Sequence, residues 1–126
     1  MILILSCEHG GNEIPKEYKS LFKGKEKLLK THRGFDPGTL DLFEELQVIA
    51  HYSKGNVVSR LLVECNRSLH HPNLFSEFTK PLDKISKYSI LENYYFPYRN
   101  SIEDAIADAI SNGETVLHLS LHSFTP

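Results

Sequence analysis

The chain has 126 residues, 40% of them hydrophobic, with seven phenylalanines and six tyrosines, which is one domain's worth of material and enough for a core. A formal net charge of −2 gives no positive field for nucleic acid or an anionic membrane surface, and no apolar run is long enough to span a bilayer. Two cysteines are too few for a disulfide framework, which points to a reducing, cytoplasmic home.

The first predicted element is a strand over residues 2–7. The opening "MILILSC" lacks a basic start and is too short for a signal peptide, and its continuous apolar run suits a strand buried on both faces. A polar, Gly-rich loop follows over 8–15. Short helical stretches are expected at 16–22 and 25–31, broken by Gly24; the Lys and Arg residues gathered there read as a solvated face. A firmer helix is predicted over 37–52, with Leu40, Phe43, Leu46, Ile49 and Ala50 on one side. Residues 56–65, "NVVSRLLVEC", read as a second strand, and "NRSLHHPNLF" as a long loop.

Residues 81–98 are aromatic and irregular, with some helical character. The last helix is expected to start at Ser101 as N-cap, with Asp104 three residues on, and to end at Gly113. Its buried stripe would be Ile102, Ala105, Ile106, Ala109 and Ile110. A third strand is predicted over 115–122. The order β, α, β, α, β with helical crossovers implies a parallel α/β sheet, and such sheets bind ligands at the carboxyl ends of their strands.

Those ends carry chemistry. The first strand runs into Glu8, His9, Gly10, Gly11, Asn12 and Glu13; the second into Glu64, Cys65, Asn66 and Arg67; the third into His122 and Ser123. Two histidines on separate strand tips point to a divalent metal such as zinc, the alternative being loop histidines satisfied by backbone groups. The paired glycines would let the backbone pass close to a metal or substrate. Glu13, Glu8 and Asp36 compete for the place of a third ligand. Asp36 could instead be a helix N-cap, with Pro37 at the first helical position. Asn66 and Arg67 suit a carboxylate, which a guanidinium can grip with two parallel bonds; alternatively they are surface loop residues. Arg60 pairs with Glu64 in the simplest reading. His51, His70 and His71 receive no role, and Cys7 and Cys65 read as small buried residues.

The stretches "SCEHGGNEIP", "THRGFDPGTLDL", "LLVECNRSLHHPNLFSEFTK", "YYFPYRNSIEDAI" and "LHLSLHSFTP" resemble, in order and along nearly the whole chain, the N-formylglutamate amidohydrolase family, itself distantly similar to zinc carboxypeptidases. The resemblance implies a three-layer, mostly parallel open sheet of the phosphorylase/hydrolase-like kind. It implies a zinc-dependent amidohydrolase with His9, His122 and Asp36 at the metal. Asn66 and Arg67 would bind the carboxylate of an N-acyl amino acid, with Arg60 as supporting charge. His122 would end a central strand and face His9 across the tip of the sheet.

In the carboxypeptidase pattern the third position after the first histidine is glutamate; here it is Asn12, with Glu13 next to it as a local substitute in catalysis. Family members are considerably longer, so the resemblance implies a chain incomplete at its C-terminus. It would lack the later strand that supplies the general base, and its open sheet edge would favour self-association. Two rival readings remain at this stage: a carboxypeptidase-like peptidase or amidase with another substrate, and a catalytically incomplete fragment that binds metal or carboxylate without turnover.

Overall fold

A computed structural model describes residues 1–125. Its frame is a parallel sheet of three strands, β1 (Ile2–Cys7), β2 (Tyr52–Gly55) and β3 (Val116–Ser120), in the order β2-β1-β3. Alternation along β1 divides the core. Ile4 faces the larger cluster, built with Leu62, Ile90, Tyr98 and Ile102; Leu5 and Cys7 face a smaller one with Phe43. Helix α2 (Thr39–Leu46) covers the second face and α4 (Phe96–Ser111) the first, so the architecture is three-layered, as the resemblance implied. A 3-10 turn (Lys16–Phe22) and a short helix α1 (Glu26–Leu29) lie between β1 and α2, separated by Gly24 at φ 77°. Among the described residues no helix is long and apolar enough to cross a membrane.

Residues 56–65 are not a strand. Leu61, Leu62, Val63 and Cys65 are buried, but the backbone turns. Its hydrogen bonds run to scattered partners: Ser59 to Glu13, Arg60 to Gly34, and Glu64 to Leu74. An apolar run reports burial, and burial alone does not separate a strand from an irregular core segment. The true β2 is the half-buried "YSKG", inside and just past the stretch predicted as helix. That helix closes with a 3-10 turn (Gln47–Ile49), Ala50 is already extended, and Ile49 is exposed.

The C-terminal helix starts earlier than predicted. Asp83 is the cap, its carboxylate accepting from the Ser86 N–H at 2.7 Å. From there α3 (Lys84–Ile90) passes through a π-helical segment (Leu91–Tyr95) into α4. The widened turn comes just before Pro97, which has no N–H to donate. Ser101 therefore lies inside a helix, with its hydroxyl on Tyr52 Oη rather than on a backbone N–H. Gly113, at φ 80°, ends the helix as expected, while Ile110 is exposed, outside the buried stripe.

Strand β3 stops at Ser120, and among the described residues it is an edge strand, not a central one. The centre belongs to β1, the strand whose residues are apolar on both faces. The Leu/His/Leu/Ser alternation of β3 marks a strand with less cover.

Candidate metal centre

His9 stands just beyond β1, where its carbonyl accepts from the Asp36 N–H at 2.8 Å. This bond carries the 32–38 loop onto the end of the sheet. Asp36 does not cap α2. Gly38 occupies that place, and no side chain bonds the helix start. The Asp36 carboxylate instead turns inward, 2% exposed, between the two histidines. Its Oδ2 is 3.5 Å from His9 Nδ1 and 3.0 Å from His122 Nδ1. The two imidazoles meet edge-on, with centroids 5.0 Å apart. One ligand atom from each of His9, Asp36 and His122 lies within 4.8 Å of the others.

His9 Nε2 hydrogen-bonds the Glu64 carboxylate, so that nitrogen carries the hydrogen and the neutral ring has its lone pair on Nδ1. That Nδ1 is buried and has no hydrogen-bond partner. An orphaned lone pair aimed at a carboxylate oxygen, with a second imidazole alongside, is an unfavourable arrangement of acceptors by themselves. It becomes favourable around a cation. The residues therefore fit a divalent metal of the zinc type.

Glu64 was read from the sequence as the partner of Arg60, and it is: Nε lies 2.9 Å and Nη2 2.8 Å from Oε2. Its second role, on His9, was missed. A carboxylate embedded in a buried apolar run must have more than one partner to stay charged, and that was the available signal. Burial alone would raise the Glu64 pKa, but the His9 hydrogen bond, the Arg60 charge and the Asn66 N–H outweigh it and hold the carboxyl below the ordinary range. Glu8 is not drawn in as a ligand; among the described residues it lies behind His122, its Oε1 3.5 Å from Nε2. Burial opposes its ionisation too, and the hydroxyls of Ser120, Tyr98 and Ser6 overcome that and lower its pKa.

Beside the three residues lies a cavity of about 280 Å³ that reaches Arg60, Asn66 and Arg67. Asn66 and Arg67 are exposed at its lip, and Tyr95, from the π-helical turn, donates from Oη to the Arg67 carbonyl at 2.7 Å. A larger cleft of about 680 Å³ shares His32, Arg60 and Arg67 and extends to Lys80. Glu13 lines neither cavity. It is exposed, and its backbone bridges Val58. The glycines after His9 do serve a close approach, but to protein: a Cβ on Gly11 would sit 2.5 Å from the Val57 carbonyl oxygen. Cys7 and Cys65 are buried and free. Burial, reinforced by neighbouring carboxylates, pushes both thiols up to about 12, so neither is a ready ligand or nucleophile.

A parallel α/β sheet with a His–Asp–His cluster and a cationic lip at the carboxyl ends of its strands defines a protein of the hydrolase-like α/β class. The model of the N-formylglutamate amidohydrolase family matches residues 1–126, and the chain belongs to that family. The crystal structure of gene product Atu2144 from Agrobacterium tumefaciens is similar, with a TM-score of 0.85 and 27% identity over 98% of this chain and 52% of that one. The chain thus spans about half the length of that relative. No curated protein matches the sequence.

Proposed function

We propose that this chain holds a zinc-type divalent metal through His9, Asp36 and His122, and that the centre serves hydrolysis of the amide in N-formylglutamate or a related N-acyl amino acid. The observation that carries this is the orphaned, buried Nδ1 of His9, which shares the Asp36 carboxylate with His122 Nδ1. A metal bound there supplies Lewis acidity, polarising an amide carbonyl and making water acidic enough to react near neutral pH.

The other residues have tasks of their own. Arg67, with Asn66, anchors the substrate carboxylate at the mouth of the cavity and fixes where the scissile amide lies. Arg60 is committed to Glu64, so it contributes charge rather than a free fork. Proton transfer is the step without an assigned residue. Asp36, Glu8 and Glu64 are each engaged with a histidine, and Glu13 does not line the cavity. Slow turnover by the 126-residue chain, or binding without turnover, follows from that arrangement, since a positioned acid or base contributes about 10²–10⁴-fold. Two free buried cysteines suit a reducing, cytoplasmic setting.

The test is metal content. Wild type is expected to take up one zinc per chain and a His9→Ala/His122→Ala double variant none; equal stoichiometry in the two would overturn the proposal. Turnover of N-formyl, N-acetyl and peptide glutamates then separates the deformylase reading from a carboxypeptidase-like one.

A further inference from the structure

His122 lies past the last paired residue of an edge strand, and its side chain is 19% exposed. Packing alone cannot aim such a ring. We propose that Ser120, Glu8 and Tyr98 are positioning residues that hold His122 with hydrogen on Nε2 and leave Nδ1 to ligate; this rests on the metal reading above for its purpose but not for its geometry.

Tyr98 Oη has one hydrogen and two acceptors in reach, Glu8 Oε2 at 2.5 Å and the Lys54 carbonyl at 3.3 Å; the shorter bond to the charged group takes it. Glu8 Oε1 accepts from Ser120 Oγ. The serine has then spent its only hydrogen, and a carboxylate has none to return. His122 Nε2, 2.9 Å from Ser120 Oγ, can bond it only as a donor. Nε2 therefore keeps its hydrogen, and Nδ1, which bonds Asp36 Oδ2 at 3.0 Å, is the nitrogen whose hydrogen a metal would replace.

Three elements meet in this chain of bonds: Glu8 beyond β1, Ser120 on β3 and Tyr98 on α4. The outcome matches His9, whose Nε2–H is held by Glu64 directly. Both rings turn Nδ1 toward the same oxygen, one fixed by a carboxylate and the other by a carboxylate acting through a serine. Hydrogen-bond partners of this kind set which ring nitrogen is free to ligate, and losing one costs about 10–100-fold in metal affinity.

The experiment reads the imidazole ¹⁵N shifts of His122 in the metal-free, 126-residue protein, and zinc affinity by competition with a chelator. Wild type is expected to show hydrogen on Nε2. Ser120→Ala should give a tautomer mixture and bind zinc about 10–100-fold more weakly, and Ser120→Thr should restore both. A merely structural tie between strands would move neither the shifts nor their rescue by threonine. Tyr98→Phe reaches the same ring from α4 without altering β3 and should produce a smaller change in the same direction. A bare Nε2 in wild type, or wild-type shifts and affinity in Ser120→Ala, would overturn the proposal. A wild type that binds no zinc, yet shows the Ser120-dependent tautomer, would sink the metal reading and leave the positioning role standing.

Discussion

The two histidines reach one carboxylate from unlike surroundings. His9 is 2% exposed and follows the central strand, and its partner Glu64 is itself embedded among core residues and tied to Arg60. Among the described residues His122 lies beyond an edge strand, held by a serine hydroxyl that in turn bonds Glu8. The same ligating function is thus built once into the core and once onto its margin. Damage on the His9 side should therefore strike fold and metal binding together. Damage on the His122 side should strike metal binding alone.

Glu64→Ala gives the largest separation. It leaves the His9 Nε2–H, the Asn66 N–H and the Arg60 guanidinium without their shared acceptor. Orphaned buried donors of this sort cost about 1–3 kcal/mol each before relaxation, and Arg60 is exposed enough to recover water, so we expect a loss of about 3 kcal/mol in unfolding free energy. Ser120→Ala should lose about 0.5 kcal/mol, as is usual at exposed positions. Urea unfolding of the two metal-free variants measures both. Equal losses would abolish the distinction between core and margin.

The division also explains what could be read from the sequence. The β1 strand, the parallel α/β order and the meeting of His9 and His122 at the tip of the sheet were legible, because a doubly buried strand is a continuous apolar run and strand tips collect chemistry. Asp36 was legible only as a choice between cap and ligand, and the left-handed turn at Gly38, φ 83°, is what removes it from the helix start. Illegible were the features that depend on contacts distant in sequence. Residues 56–65 carry a strand's composition but spend their backbone bonds on loops, and "YSKG" carries little composition yet pairs with β1. Glu64 and Glu8 support histidines 55 and 114 positions away respectively, counting Glu64 to His9 and Glu8 to His122, and no local pattern announces such partners.

A second substitution probes how the His9 side is fastened. Gly11 lies against the chain leaving β2, where an added methyl would meet the Val57 carbonyl oxygen at 2.5 Å and its Cα at 2.8 Å. Neither atom belongs to a flexible side chain, so backbone must shift. Gly11→Ala should cost about 2 kcal/mol, within the range for overpacked sites, and should weaken zinc binding because the displaced segment includes His9. Thermal unfolding and chelator competition on one sample test whether the two losses travel together. A destabilised variant with unchanged zinc affinity would show that the His9 ring is held by Glu64 without help from the loop.

The smallest effect on stability belongs to the outer strand. Leu5 and Leu119 are partners in the β1/β3 register, yet Leu5 is 1% exposed and Leu119 42%. The far edge of β3 has no strand partner among the described residues. Such an edge, with leucines standing beside it, invites pairing with another copy, and lysine is the residue edges use against that. Leu119→Lys should change unfolding free energy by no more than about 0.5 kcal/mol. Light scattering should show the wild-type mass rising with concentration and the variant remaining nearer the monomer. A monomeric wild type at every concentration would mean that the exposed edge does not drive association, and the margin of the sheet would then differ from its centre in packing alone.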